Sequence, residues 1–208
     1  MDIQFHGGNC IVLSTKHARV VIDDTLADLG AKSTAKAEDI ALFTSPHTAP
    51  AVAPKIMIDQ PGEYEVSGVS IYAIPARAHM DEENQKSATM YKLMIDDVKV
   101  LVTGHVYPEL SDAQLETIGM IDVMFVPVGG NGYTLDSVGA LKLIKKVEPK
   151  MVIPTHYDDK ALHFPVPQQD LEQALKGLAM EPKETVSKLK LKAGELGETM
   201  SLVIVEKS

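Results

Sequence analysis

The stretch from residue 121 to residue 154 constrains the fold of this chain most. Ile121–Val128 is an apolar run broken only by Asp122, the pattern of a strand buried on both faces. Thr134 to Val147 then places apolar residues at Leu135, Val138, Leu141, Ile144 and Val147, a helical stripe. Met151–Pro154 is a second short buried run. A strand, a helix and a strand of these lengths make a crossover unit, which implies parallel strands with a helix over one face of their sheet.

The remaining segments read mainly as strands. Ile3–Phe5, Cys10–Ser14 and Arg19–Ile22 are parted by Gly7-Gly8-Asn9 and Thr15-Lys16-His17, a meander. Ile40–Thr44 and Lys55–Ile58 are further apolar runs, and Pro61-Gly62 marks a turn. Tyr64–Val66 and Val69–Ala73 form a hairpin around Ser67-Gly68, and Met90–Ile95 with Val98–Thr103 a second one around Asp96-Asp97. Ser111 and Gln114 have capping-box spacing for a short helix through Ile118. Gln168–Leu178 reads as a helix after the Pro165/Pro167 break, and Lys188–Lys192 and Met200–Val205 close the chain as strands. With no repeat or linker, residues 1–208 read as one domain built of layers of sheet and helix.

Composition narrows the function classes. The net charge of −9, with 20 basic against 29 acidic residues, argues against a grip on nucleic acid. The basic runs at Lys142–Lys150 and Lys183–Lys192 alternate with apolar residues, as solvated faces do. A single cysteine, Cys10, excludes an intrachain disulfide; it sits inside a strand, where core packing is its natural role. The N-terminus lacks the pattern of a signal peptide, and no apolar window is long enough to span a membrane. The expectation is a soluble cytoplasmic protein with a small-molecule substrate, no nucleic-acid or membrane partner, and self-association left open.

The histidines carry the chemistry. Of seven, four stand just past the ends of apolar runs: His47, His79, His105 and His156. Strand-end loops are where a sheet positions functional groups rigidly, and a neutral imidazole is both a metal ligand and a base near pH 7. A lone loop histidine is commonly only a hydrogen-bonded surface residue; four in equivalent places point to a shared site. Ser45 beside His47 has no orienting acid placed by sequence and makes a poor nucleophile pair. Gly7-Gly8 and Gly129-Gly130-Asn131-Gly132 match no phosphate-cradling motif and read as tight turns, the second at a cleft. Met80, Met90, Met94 and Met124 read as core fillers.

Val126-Pro127-Val128-Gly129-Gly130, Tyr133-Thr134-Leu135-Asp136 and Pro149-Lys150-Met151-Val152-Ile153-Pro154-Thr155-His156-Tyr157 together resemble the C-terminal half of small metallo-β-lactamase-fold proteins, nearest the group of ascorbate-phosphate lactonase-like zinc hydrolases. Gly7-Gly8-Asn9-Cys10, Val20–Asp23 and Pro61-Gly62-Glu63-Tyr64 extend the resemblance over nearly the whole chain. It implies an α/β (α+β) fold, an αββα sandwich of two mixed sheets flanked by helices, with one or two metal ions, usually zinc, activating a water at the sheets' shared edge.

The family's His-x-His-x-Asp-His cluster would fall on Ser45, His47, Ala49 and Pro50, so only His47 keeps a ligating side chain. His79 matches the later histidine, His105 stands where the bridging aspartate belongs, and His156 matches the final histidine. The resemblance therefore implies a reduced site of His47, His79, His105 and His156 for one zinc ion or for none, with His105 and His156 as the catalytic pair. Asp81, Asp158 and Asp159 are either acceptors orienting those rings or solvated loop acids. Three readings follow: a metal-dependent hydrolase with a mononuclear site, a non-catalytic relative kept for binding or assembly, and a metal-free hydrolase with His105 as base.

Overall fold

A computed structural model describes residues 1–208. The chain opens with the expected meander: β1 (Asp2–Gly7), β2 (Cys10–Ser14) and β3 (Arg19–Ile22) pair antiparallel. Next, β4 (Ile40–Leu42) and β5 (Ile56–Ile58) add parallel to β3. With β13 (Leu189–Lys190) beside β1, these make a six-stranded sheet in the order β13-β1-β2-β3-β4-β5.

The second sheet has eight strands, ordered β12-β14-β11-β10-β9-β8-β7-β6. The first hairpin pairs β6 (Gly62–Val66) with β7 (Val69–Ala76), and Gly62 belongs to the strand rather than to a turn. The second joins β8 (Ala88–Ile95) to β9 (Val98–Val102). Asp96 and Asp97 both take positive φ, 49° and 61°, matching the right-handed twist of a two-residue hairpin. From β9 the sheet turns parallel through β10 (Val123–Pro127) and β11 (Met151–Thr155) to β14 (Ser201–Val205). An unforeseen edge strand, β12 (Pro182–Val186), lies parallel to β14; its mostly exposed KET core carries no apolar pattern.

The crossover from β10 to β11 runs through α2 (Ser137–Val147), capped by Asp136. Its buried face is Ala140, Leu143, Ile144 and Val147, whereas Val138 is 58% exposed. The expected stripe is therefore rotated, because small Gly139 and Ala140 let that face approach the sheet. In α1 (Asp112–Ile118), Ser111 and Gln114 form the capping box. Asp170 caps α3 (Leu171–Leu178), leaving Gln168 outside the helix.

Two apolar layers result. A cluster of 26 buried residues drawn from both sheets, including Ile3, Leu13, Ile71, Tyr91 and Phe125, fills the space between them. A second, with Met90, Leu101, Met124 and Leu143, lies between the eight-stranded sheet and the helices. All three helices pack on that sheet. Loops carrying Leu26, Leu29 and Leu162 cover the outer face of the six-stranded sheet, where Cys10 is buried as expected. Met90 and Met124 are core, but Met80 is 72% exposed on a loop and Met94 points outward from β8.

Parallel strands β3, β4, β9, β10 and β11 all end at one edge of the sandwich. The loops that follow them build the site.

Candidate active site

At that edge Asp23 follows β3, Thr44 lies two residues past β4, Thr103 follows β9, and β11 ends in Thr155. Asp23 Oδ1 accepts the Thr44 backbone N–H at 2.7 Å, and its Oδ2 accepts the Thr44 hydroxyl at 2.6 Å. Burial raises the Asp23 carboxyl to about 6, against the opposing pull of those two hydrogen bonds. The loop after β9 crosses directly over Thr44. A Cβ on Gly104 would lie 2.2 Å from Thr44 Oγ1, and φ there is +62°, so both space and backbone demand glycine. From below, the Tyr91 hydroxyl reaches the carbonyls of Phe43 (2.9 Å) and Ile58 (2.8 Å), tying one sheet to the floor of the other.

His105 and His156 meet edge to face in this cleft, ring centroids 4.6 Å apart at 84°. Tyr133 stands 5.1 Å from the His105 ring, and Phe164 4.9 Å from that of His156. Burial lowers His105 to about 3, with the neighbouring His156 adding to the effect, and lowers His156 to about 4, so both rings are neutral at pH 7. His156 has φ of 52°, a left-handed conformation that a β-branchless but bulky residue adopts only under tertiary constraint. Its backbone N–H donates to Gly8 O at 2.8 Å, joining the end of β11 to the first turn of the other sheet.

Gln168 fixes the tautomer of His156. The Gln168 Nε2 donates to Val166 O at 2.8 Å, so Oε1 is the atom that faces His156 Nδ1, 3.1 Å away. An amide oxygen only accepts; Nδ1 therefore carries the proton and Nε2 keeps its lone pair. Gly129 makes room for this contact, since a Cβ there would lie 2.0 Å from Gln168 Oε1 and 2.2 Å from His156 O. The glycine run read as a cleft-lining turn thus has its effect through Gly129.

The two other expected site residues are placed differently. His79 is adjacent in backbone, donating its N–H to His105 O at 2.7 Å, with a half-buried ring lowered in basicity by burial. His47 stacks flat on Phe43, centroids 3.6 Å apart, in a neighbouring depression with Asp59, Gln60 and Ser87. Asp81 accepts from the backbone of Ala78 and from Ser87, and Asp159 pairs with Lys207 at 2.6 Å. Neither orients an imidazole. Asn9, Asp23 and Tyr133 entered the sequence reading only within stretches that carry the family resemblance, and Gln168 only as a helix start; a polar side chain oriented by one distant in sequence leaves no local pattern.

The cleft has a volume of about 130 Å³ and is lined by Asn9, Asp23, Asp28, Ser45, His105 and His156 among others. Larger cavities of about 500 and 520 Å³ lie beside Met180–Leu202 and beside Tyr157, without a histidine in either.

Residues 2–156 match the family model of the beta-lactamase superfamily domain. The chain belongs to that superfamily. A UPF0173 metal-dependent hydrolase of Thermococcus onnurineus is 32% identical over 102 residues, 47% of this chain and 44% of that protein. One from Archaeoglobus fulgidus is 27% identical over 141 residues, 64% of this chain and 58% of its own length. The matched span thus covers about half the length of these curated relatives. Among solved structures, a proposed zinc-dependent hydrolase of the metallo-β-lactamase superfamily from Thermotoga maritima superposes with a TM-score of 0.75 at 25% identity, covering 99% of both chains.

Superfamily membership implies a metal, and the donor set tests that implication. Where the resemblance places the ligand cluster, Ala49 and Pro50 lack side-chain donors and Ser45 is a weak one. His47 is turned into its stack on Phe43. No group of three or more His, Cys, Asp or Glu side chains is arranged to hold an ion. The residues present do not fit the two-ion centre, nor do the four histidines converge on one ion. No helix is long and apolar enough to cross a membrane.

Proposed function

We propose that this chain is a hydrolase acting on a small molecule in the cleft where His105 meets His156. The observation that carries the reading is the fixed tautomer of His156, a buried neutral imidazole held with one lone pair free at the edge where both sheets deliver their loops. The names of the curated relatives and of the Thermotoga maritima protein support hydrolysis as the reaction class. Those names also support metal dependence. Here a single zinc ion would have to draw on His79, His105 and His156, and the donor set gives no group of three, so the mechanism is taken from the protein's own side chains.

His156 Nε2 takes the proton of an attacking water and returns it to the leaving group, while Gln168 holds Nδ1–H throughout. The role first given to His105 passes to His156, whose orientation is fixed. His105 meets that ring edge to face and helps hold it in place. A base near 4 is weak, so substrates with good leaving groups are the ones turned over.

The test is an initial-rate screen of chromogenic carboxylic and phosphate esters, with and without chelator, on the full chain and on His156→Ala. Turnover lost in His156→Ala supports the reading, and turnover equal in both proteins overturns it. Complete inhibition by chelator would assign the chemistry to a metal and revise the role of His156. The second reading, a non-catalytic binding relative, is favoured by Ala49, Pro50 and the stacked His47; it predicts no turnover of any ester.

A further inference from the structure

The lining of the cleft limits what it accepts. Asp23 and Asp28 supply two carboxylates beside Asn9, His105 and His156, and the lining has not one lysine or arginine. Phosphate esters are held by charge-assisted donors, guanidinium or ammonium groups above all. This cleft offers none. An anionic phosphoryl group entering it meets carboxylates without compensation. An uncharged substrate meets no such opposition.

One donor in the lining has no partner within the protein. Asn9 is 6% exposed. The Thr155 hydroxyl donates to Asn9 Oδ1 at 2.9 Å, which fixes the amide plane, and Asn9 Nδ2 is left buried with no hydrogen-bond partner. A buried N–H without an acceptor is costly, and native structures rarely keep one idle. Asn9 also follows Gly8, whose carbonyl receives the His156 backbone N–H at 2.8 Å. The free amide donor and the oriented base are therefore held by one short segment.

We propose that Asn9 Nδ2–H receives the carbonyl oxygen of an uncharged carboxylic ester, and that this donor in a cation-free cleft selects such esters over phosphate esters. The inference rests on the hydrolase reading. In the reaction, water adds to the ester carbonyl carbon as His156 Nε2 takes its proton. The carbonyl π electrons move onto oxygen, where Asn9 holds the developing negative charge. The intermediate then collapses, the bond to the alcohol oxygen breaks, and the imidazolium proton goes to that oxygen. The products are a carboxylic acid, which ionises to solvent, and an alcohol.

The experiment measures kcat and KM for p-nitrophenyl acetate and bis(p-nitrophenyl) phosphate on the full chain, Asn9→Ala, Asn9→Asp, Thr155→Val and His156→Ala, with thermal melts of each. The acetate is expected to be hydrolysed and the phosphate diester not. Asn9→Ala is expected to lower kcat on the acetate about 100-fold, the usual loss for one such donor, with KM nearly unchanged. Asn9→Asp, of the same size, gives the same reading if the alanine variant does not fold, and Thr155→Val, which frees the amide to turn, falls between. Faster turnover of the diester, or full kcat in folded Asn9 variants while His156→Ala loses it, overturns the inference and leaves the hydrolase reading standing. Neither compound turned over above His156→Ala overturns both.

Discussion

At the scale of single residues, the orientation of His156 depends on Gln168, and the space for Gln168 depends on Gly129. Gln168→Ala leaves the buried Nδ1–H without an acceptor, at a cost of about 1–3 kcal/mol. It also frees the ring to change tautomer, so esterase turnover should fall with stability. Gly129→Ala should produce the same pair of effects by displacing Gln168. Urea denaturation and initial rates on the two variants measure both; unchanged rates in a destabilised protein would separate the contact from the chemistry. The same cleft sets the acid response. The folded chain binds a proton at His156 only near 4, whereas the unfolded chain does so near 6.5. The stability this contributes is complete above about 6.5 and is lost as pH falls toward 4, about 3 kcal/mol in all. Asp23 has the opposite sign. Raised from 3.8 to about 6, it adds stability below 3.8 that is lost as pH rises through 6, and so offsets part of the histidine effect. Asp23→Asn should therefore lose stability more steeply than the native chain between about pH 6 and pH 4. Equal slopes in urea titrations across that window would contradict the assignment.

At the scale of elements, periodicity and turn chemistry explain what the sequence made legible. Val123–Pro127 became β10 because every one of its positions faces a packed layer, and Asp96-Asp97 turned where φ above zero was required. β12 stayed invisible because an edge strand with exposed Lys183 and Glu184 has no apolar alternation to read. The face of α2 was misplaced because Gly139 and Ala140 bury without being large. The site was legible only in part. Strand-end histidines are found by position along the chain, but the stack of His47 on Phe43 and the grip of Gln168 on His156 arise from side-chain directions that spacing does not encode. The start of α2 offers an independent check. Asp136 Oδ1 accepts the Gly139 N–H at 2.7 Å and satisfies one of the helix's free donors. Asp136→Ala should cost about 1 kcal/mol of stability by chemical denaturation, with little effect on turnover because Asp136 does not line the cleft.

At the scale of the whole molecule, the two sheets share one core, and the loops that close it also decide what the cleft can hold. Residues of both sheets interleave in the central cluster, and Tyr91 and the His156-to-Gly8 hydrogen bond cross from one sheet to the other. Neither sheet can open without exposing the other's apolar face, so thermal unfolding should be a single transition, with calorimetric and van't Hoff enthalpies equal. Within that rigid frame the resemblance places the family's metal-donor positions at Ser45, Ala49, Pro50 and His105. Returning them together to the superfamily pattern, as Ser45→His, Ala49→Asp, Pro50→His and His105→Asp, supplies imidazoles and carboxylates at the same strand ends. The native chain should bind zinc only substoichiometrically and show no rise in melting temperature when zinc is added. The fourfold variant should bind it stoichiometrically and melt higher by mass action. Zinc bound tightly by the native chain, in metal analysis of protein purified without a tag, would mean that His47 leaves its stack on Phe43 to join His79 and His156.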